Sequence, residues 1–142
     1  MPKTILMVDD EKTICALFSA MLIAEGFKVR SAYSGKDALD VIKANPPDHF
    51  DLIILDMMMP GYGGYEVLKE LQQGDYKDIP IFIMTARQLD TGSIRMLQSE
   101  SNVREFWTKP VDTKKFKSRV HFLLDTAPDP EAGKEDIWER RT

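Results

Sequence analysis

The side chains best suited to chemistry follow short apolar runs of the sequence. Asp9 and Asp10 come directly after one run, Asp56 after a second, Thr85 after a third and Lys109 after a fourth. Carboxylates that converge repel one another, so either their pKa values rise or a cation neutralises them. Mg²⁺ suits such a group, because it prefers oxygen ligands and commonly binds one or two carboxylates together with a phosphoryl oxygen. A carboxylate beside a metal and a lysine is then able to attack a phosphoryl donor and form an aspartyl phosphate.

The apolar pattern predicts the elements that would bring these side chains together. Continuous or alternating apolar runs predict five strands, at residues 4–8, 27–33, 51–55, 80–84 and 104–108. A helical pattern follows each strand, and the five helices start near residues 11, 34, 64, 90 and 112. Parallel neighbours need a crossover connection, so this alternation predicts a doubly wound parallel α/β sheet. Ligands of open α/β sheets sit beyond the carboxyl ends of the strands, where the candidate residues fall.

The first helical pattern also predicts which residues face the core. One apolar face at helical spacing is formed by Ile14, Leu17, Phe18, Met21 and Leu22. Cys15, the only cysteine, is interpreted as a small apolar filler, since one thiol and two separated histidines form neither a disulfide framework nor a zinc site.

Composition and charge exclude several classes of protein. The 142 residues are 43% hydrophobic and 30% charged, which is typical of a folded globular domain. The formal net charge of −4 gives no general attraction to nucleic acid or to an anionic membrane surface. No apolar stretch approaches the roughly 18 residues of a membrane span, and no signal-peptide pattern precedes Asp9. We therefore expect a cytoplasmic protein without membrane insertion.

Two charged stretches near the C-terminus stand apart from these reactive residues. The basic cluster of the last helix, Lys114, Lys115, Lys117 and Arg119, is interpreted as a solvated face. Residues 125–142 contain two prolines, six acidic and three basic side chains, and are too few for an independent domain. They predict a polar tail in which Ile137 and Trp138 are able to dock on a partner or on the domain itself.

The motifs at the strand ends have a familiar order. They are Val8-Asp9-Asp10, Leu55-Asp56, Met59-Pro60-Gly61, Thr85-Ala86 and Lys109-Pro110. In this order and on these elements, over residues 3–124, the chain resembles the receiver domain of two-component response regulators of the stand-alone, chemotaxis-regulator-like kind. The resemblance implies a flavodoxin-like parallel sheet with strand order 2-1-3-4-5 and five helices. It also implies a receiver domain over residues 1–124 and a polar C-terminal tail over 125–142.

The resemblance assigns the acidic residues to phosphoryl acceptance and metal binding. Asp56 corresponds to the Asp that accepts a phosphoryl group from a histidine kinase. Asp10 corresponds to the direct Mg²⁺ ligand and Asp9 to a ligand that acts mainly through water. The backbone carbonyl of Met58 would complete the metal site together with Asp56.

The remaining site residues are implied to bind phosphate and to switch. Thr85 corresponds to the switch hydroxyl, and Phe106 stands at the aromatic switch position three residues before Lys109. Lys109 corresponds to the phosphate-binding ammonium, and the bond that joins it to Pro110 is usually cis in the family. Phe106 has no hydroxyl, so its part in switching would be a change of packing; a plain core role for this ring remains an alternative.

The implied function is a phosphorylation switch and not an enzyme acting on a separate substrate. A histidine kinase or phosphotransfer protein would phosphorylate the domain, which would alter the surface of the fourth helix, fifth strand and fifth helix. A downstream protein target would read that surface, and homodimer formation on phosphorylation is compatible with the same resemblance. Direct binding to nucleic acid is not expected from the net charge of −4.

Two residues are expected to tune how long the phosphoryl group stays in place. In receivers of this kind, the positions two after the acceptor Asp and two after the switch Thr flank the path of the attacking water; here they are Met58 and Arg87. A thioether cannot orient a water and a protonated guanidinium cannot accept its proton. Slow hydrolysis of the aspartyl phosphate is therefore expected.

Other interpretations of the same residues exist. Asp9 and Asp10 alone would fit an N-cap and a dipole partner of the first helix. A flavodoxin-like FMN protein is disfavoured because an acidic pair would repel the FMN phosphate. A haloacid-dehalogenase-type phosphatase is disfavoured because Met58 stands where a second Asp is needed. A pseudo-receiver that binds partners without phosphorylation is disfavoured only because the chemical residues are intact.

Overall fold

The fold is described from a computed structural model that covers most of the chain. The described residues are 2–44, 49–59, 61, 63–73, 76–86, 90–100 and 102–128. Strands and helices alternate along them in the order β1 (Thr4–Val8), α1 (Lys12–Ala24), β2 (Lys28–Ala32), α2 (Gly35–Lys43), β3 (Leu52–Asp56), α3 (Gly64–Leu71), β4 (Ile81–Thr85), α4 (Thr91–Gln98), β5 (Val103–Thr108) and α5 (Thr113–Leu124). None of the helices in this part of the chain is long and apolar enough to cross a membrane.

The sheet is parallel throughout and has the order β2-β1-β3-β4-β5. The prediction of a doubly wound α/β sheet with this order and five helices is therefore confirmed. β3 and β4 are buried along their whole length, because helices cover both faces of the sheet. Parallel pairing places the carboxyl ends of β1, β3, β4 and β5 along a single edge.

Alternation along the strands divides the apolar side chains into a core on each face. In β1, for example, Leu6 and Val8 join the core under α2 and α3, whereas Ile5 and Met7 join the core under α1 and α5. Phe116 of α5 is fully buried in the second core, with its ring edge-on to Phe18, Phe82 and Trp107. These contacts fix α1 and α5 against the sheet next to the edge where the strands end.

The predicted helix caps are observed in the structure, whereas the predicted core face of the first helix is only partly correct. The side chains of Ser34 and Asp112 accept the backbone N–H groups that begin α2 and α5, as expected for caps. Leu17, however, is 57% exposed, so its predicted place in the core is wrong. The buried positions of α1 are Cys15, Phe18 and Leu22, and the predicted Ile14 and Met21 pack partly buried beside them, so only Leu17 departs from the predicted face.

The predicted domain boundary falls at the end of the described chain. α5 ends at Leu124, and residues 125–128 follow it without regular structure. Residues 129–142, including Ile137 and Trp138, lie outside the described residues. The polar tail therefore stays a prediction.

Candidate functional site

The carboxyl edge of the sheet collects the residues singled out from the sequence. Asp9 follows β1 directly, Asp56 and Thr85 are the last residues of β3 and β4, and Lys109 follows β5. Each apolar strand ends where the sheet meets solvent, so the first polar residue after it lies at this edge. The structure thus brings Asp9, Asp56 and Lys109 within contact of one another although they are far apart in the chain.

A buried ion pair lies at the centre of this edge. The Nζ atom of Lys109 donates to Oδ2 of Asp9 at 2.7 Å and lies 3.7 Å from Oδ2 of Asp56. Burial works to lower the pKa of Lys109, but the hydrogen bond to Asp9 and the charges of Asp56 and Asp9 outweigh it, so this pKa is raised. The ammonium therefore stays charged and holds two carboxylates close together.

Asp56 is the carboxylate whose ionisation the site opposes most clearly. Burial raises its pKa to about 6, and the neighbouring charge of Asp9 works in the same direction. The N–H of Met58, which donates to Oδ1 of Asp56 at 3.0 Å, and the charge of Lys109 only partly offset these effects. The single ammonium of Lys109 thus does not neutralise all the negative charge of the acidic residues in this site.

A third carboxylate completes an acidic cluster that a cation fits. Asp9, Asp10 and Asp56 each contribute one carboxylate oxygen to a group whose members all lie within 4.8 Å of one another. Asp9 and Asp56 are buried, whereas Asp10 is exposed, so water has access from one side. An all-oxygen donor set with room for water suits Mg²⁺, which keeps several of its waters when bound to proteins.

The alternative role of Asp9 and Asp10 as helix caps finds no support in the start of α1. Glu11 is the N-cap residue, and no side chain caps the helix there. Asp9 instead accepts the N–H of Glu11 through Oδ1 at 2.9 Å, while its Oδ2 accepts from Lys109. Its carboxylate is therefore held between the loop and the lysine and is oriented for the site.

The loop after β3 includes a residue that the sequence interpretation missed. A side-chain carbon added at Gly64, the first residue of α3, would lie 2.5 Å from the carbonyl oxygen of Asp56 and 2.7 Å from Cα of Met57. Only glycine allows the helix to begin this close to Asp56. The pair Gly63-Gly64 just before the helical pattern was the available signal.

The methionines of this loop differ in environment. Met59 is 8% exposed and packs in the first core, whereas Met58 is 47% exposed beside the site. Arg87, the other residue expected to affect phosphoryl lifetime, lies outside the described residues.

Thr85 and Phe106 lie on the two strands nearest Lys109. Thr85 is 2% exposed, and its carbonyl oxygen accepts the N–H of Lys109 at 2.8 Å, which ties the end of β4 to the lysine. Phe106 pairs in register with Ile83, two residues before Thr85, and packs partly buried against the first core. The bond between Lys109 and Pro110 is cis.

Cys15 lies below the site but does not belong to its chemistry. Its thiol is buried and donates to the carbonyl oxygen of Asp9 at 3.3 Å. Burial, together with the charge of Asp9, raises the pKa of Cys15 to about 11. The thiol therefore stays protonated and serves as a core filler that also holds the loop of Asp9.

Comparison with known proteins places this geometry in a family. The model of the response regulator receiver domain matches residues 5–121. Response regulator MprA of Mycolicibacterium vanbaalenii is 36% identical over 135 residues, which make up 94% of this chain and 55% of MprA. The chain thus spans about half the length of this relative.

Solved receiver structures have a similar fold. The receiver domain of the Francisella response regulator 1452 is 29% identical with a TM-score of 0.74, over 87% of this chain and 97% of that domain. Response regulator TrrA of Thermotoga maritima, in complex with Mg²⁺-BeF, is 33% identical with a TM-score of 0.71, over 85% of this chain and 98% of TrrA.

The raised pKa of Asp56 predicts an unusual pH dependence of stability in a chelator. The carboxyl has a pKa of about 6 in the folded chain against an ordinary 3.8, so the folded state holds its proton more tightly. Raising the pH through this window therefore lowers the free energy of unfolding. Asp56→Asn removes this pH-dependent fall in the free energy of unfolding. The variant should therefore be more stable than wild type by about 1 to 3 kcal/mol above pH 6, and the two proteins should differ little near pH 4.

Urea denaturation over this pH range measures the difference between the two proteins. Asp40→Asn, which removes an exposed carboxylate on α2, is the matched control and should follow wild type. A stability difference between wild type and Asp56→Asn that does not change with pH would contradict the assignment.

Proposed function

This chain belongs to the response regulator receiver domain family of two-component systems, and we propose that Asp56 is its phosphoacceptor, with a histidine kinase or phosphotransfer protein as donor. One observation carries the proposal. The Oδ2 atom of Asp56 lies 3.7 Å from the ammonium of Lys109, inside a cluster of three carboxylates within 4.8 Å. A nucleophile, a phosphate-binding cation and a set of oxygen ligands are thereby adjacent.

The proposed reaction is a phosphoryl transfer between two side chains. A carboxylate oxygen of Asp56 attacks the phosphorus of a phosphohistidine, an O–P bond forms, and the P–N bond breaks with its electron pair leaving on the imidazole. Lys109 binds an oxygen of the transferring group and offsets its charge. Without a bound cation, the raised pKa of Asp56, about 6, leaves its carboxylate predominantly ionised only above pH 6.

Mg²⁺ is the proposed cofactor of this transfer. Its ligands would be the carboxylates of Asp10 and Asp56 and the backbone carbonyl of Met58, with Asp9 acting mainly through water. When bound, the ion supplies positive charge that lowers the repulsion between the acidic residues and the incoming phosphoryl group. The exposed carboxylate of Asp10 lies on the side from which hydrated Mg²⁺ and donor can approach.

Lys109 is proposed to exchange partners on phosphorylation. In the unphosphorylated chain its ammonium is bound to Asp9 at 2.7 Å. A phosphoryl group on Asp56 adds charge on the opposite side of the same ammonium, and a cation neutralises Asp9. The lysine therefore has a new partner within a short movement of its Nζ atom. Because its backbone N–H donates to the carbonyl oxygen of Thr85, this movement is coupled to the end of β4.

The signal is proposed to leave through Thr85 and Phe106. The hydroxyl of Thr85 moves toward the phosphoryl oxygens, and the space it frees is filled by the half-buried ring of Phe106. This rearrangement alters the surface formed by α4, β5 and α5, which a protein target reads. The function proposed is a switch that acts through protein partners, with the identity of target and kinase set by surfaces outside the phosphorylation site.

The phosphorylated state is proposed to be long-lived. Met58, two residues after the acceptor, presents a half-exposed thioether beside the site and offers no base to a water. Arg87 is assigned a similar role from its position two residues after Thr85. The expected result is that Asp56 loses its phosphoryl group slowly.

Phosphoryl acceptance is tested directly with a small donor. With Mg²⁺ and acetyl phosphate, intact-mass spectrometry should show one added phosphoryl group. Of the two buried carboxylates of the site, Asp9 is hydrogen-bonded to Lys109, whereas Asp56 lies 3.7 Å from it and is left to act as the single acceptor. Asp56→Asn should remove this label, and so should a chelator. Asp40→Asn should keep it. A label that persists in Asp56→Asn would place the acceptor elsewhere.

Transmission is tested with beryllofluoride and a matched pair of Thr85 variants. Beryllofluoride should shift amide resonances both at the three Asp residues and over residues 85–115, because the Thr85 hydroxyl joins the phosphoryl mimic to β5. Thr85→Ser should keep both sets of shifts, while Thr85→Val, which keeps the size but loses the hydroxyl, should keep only the first. Wild-type shifts confined to the loops of the Asp residues would show that no signal reaches β5.

A further inference from the structure

A groove at the open edge of the sheet has no role in phosphoryl transfer. β5 is the last strand of the sheet, and the groove runs between its residues 104–107 and residues 114–119 of α5. Its volume is about 680 Å³, the scale of a site that accommodates several side chains. Phe106 and Trp107 both line it, although their side chains alternate to opposite faces of β5 and are each partly buried.

The rim of the groove is basic although the chain as a whole is acidic. Four cations, Arg104, Lys114, Lys115 and Arg119, line it against a single carboxylate, Glu105. Glu105 is already bound to the guanidinium of Arg119 at 2.5 Å. Arg104, Lys114 and Lys115 are exposed. The groove therefore favours an occupant that carries both carboxylates and large apolar side chains.

Trp107, one of the residues that line the groove, has a buried polar atom without a partner among the described residues. The indole N–H of Trp107 is buried, and no acceptor for it occurs among the described residues. A buried donor left unpaired costs about 1 to 3 kcal/mol.

The end of this chain has the required composition. Residues 129–142 lie outside the described part of the structure, and they contain five carboxylates against three basic side chains, Lys134, Arg140 and Arg141. All five carboxylates fall within residues 129–139. Ile137 and Trp138 are adjacent and stand between Asp136 and Glu139. Two large apolar side chains flanked by acids complement a groove that has aromatic residues in its lining and lysine and arginine at its rim.

The length of the segment is sufficient to reach the groove. α5 has 12 residues and is about 18 Å long, so the groove lies no farther than this from its C-terminal end. The nine Cα-to-Cα steps from Pro128 to Ile137 span up to about 30 Å when extended. The chain is therefore able to turn back after α5 and run along the same helix.

We propose that the segment 129–142 docks in the groove between β5 and α5 of its own domain, with Ile137 and Trp138 against Phe106 and Trp107 and the acidic residues against Lys114 and Lys115. Docking itself does not require phosphorylation. Its consequence does rest on the proposed function, because the groove belongs to the surface by which the switch is proposed to signal. A docked segment would cover that surface and compete with a protein target.

Reciprocal variants of the full chain test the docking by NMR, in a chelator and without a phosphodonor. Ile137→Ala with Trp138→Ala should shift the indole N–H of Trp107 and the amides of residues 104–107 and 114–119. Lys114→Glu with Lys115→Glu should shift the indole N–H of Trp138 toward its position in free peptide 129–142. The matched control is Lys28→Glu with Lys36→Glu, an equal change of charge at exposed positions of β2 and α2, and it should leave Trp138 unchanged.

Several results would overturn the proposal. One is a Trp107 signal that does not respond to the tail variant; another is a Trp138 signal that responds equally to both charge reversals. Shifts that depend on protein concentration would make the occupant the segment of a second copy, which contradicts docking within one chain. Since Asp56 is unmodified throughout, failure here leaves the phosphoacceptor proposal standing, and failure of acetyl phosphate labelling leaves the docking standing.

Discussion

Repulsion among Asp9, Asp10 and Asp56 is the constraint on which the rest of the site depends. Parallel pairing of β1 and β3 forces their polar ends together, and burial strips water from two of the three carboxylates. Lys109, delivered by β5 from 100 residues away, neutralises only one charge. The unmodified chain therefore has more negative charge in the site than Lys109 compensates. Burial is the larger cause of the raised pKa of Asp56, and the charge of Asp9 adds to it.

The same uncompensated negative charge favours binding of a cation at this site. A cation that enters among the acids relieves repulsion that the fold has already created, so part of its binding energy comes from the site's own destabilisation. Lys109 is placed to contact either acid, since its ammonium is bound to Asp9 yet lies only 3.7 Å from Asp56. A residue shared between two partners in this way is well suited to reporting a change at one of them through its own backbone to Thr85.

The sequence predicts the architecture and the meeting of the site residues, but not how their side chains pair. Asp9, Asp56 and Lys109 are predictable because each follows an apolar run, and the parallel sheet leaves one edge for all of them. The bond from Lys109 to Asp9 rather than to Asp56 depends on side-chain conformations across three strands, which no local pattern encodes. The need for glycine at position 64 depends on how closely α3 approaches Asp56, and this distance is set by packing. Leu17 is a residue for which the sequence predicts burial that the structure does not show. Apolar spacing indicates one face of a helix, but it does not show how much of that face the sheet covers.

Proton release on metal binding tests most directly whether this uncompensated negative charge defines the site. Calorimetric titration of Mg²⁺ in buffers of different ionisation enthalpy gives the number of protons released for each ion bound. Near pH 6, where Asp56 is partly protonated, the wild-type chain should release a substantial fraction of a proton, and the release should fall toward zero at higher pH. Asp56→Asn should bind Mg²⁺ more weakly and release none. No proton release by wild type near pH 6, or the same release by Asp56→Asn, would contradict the account.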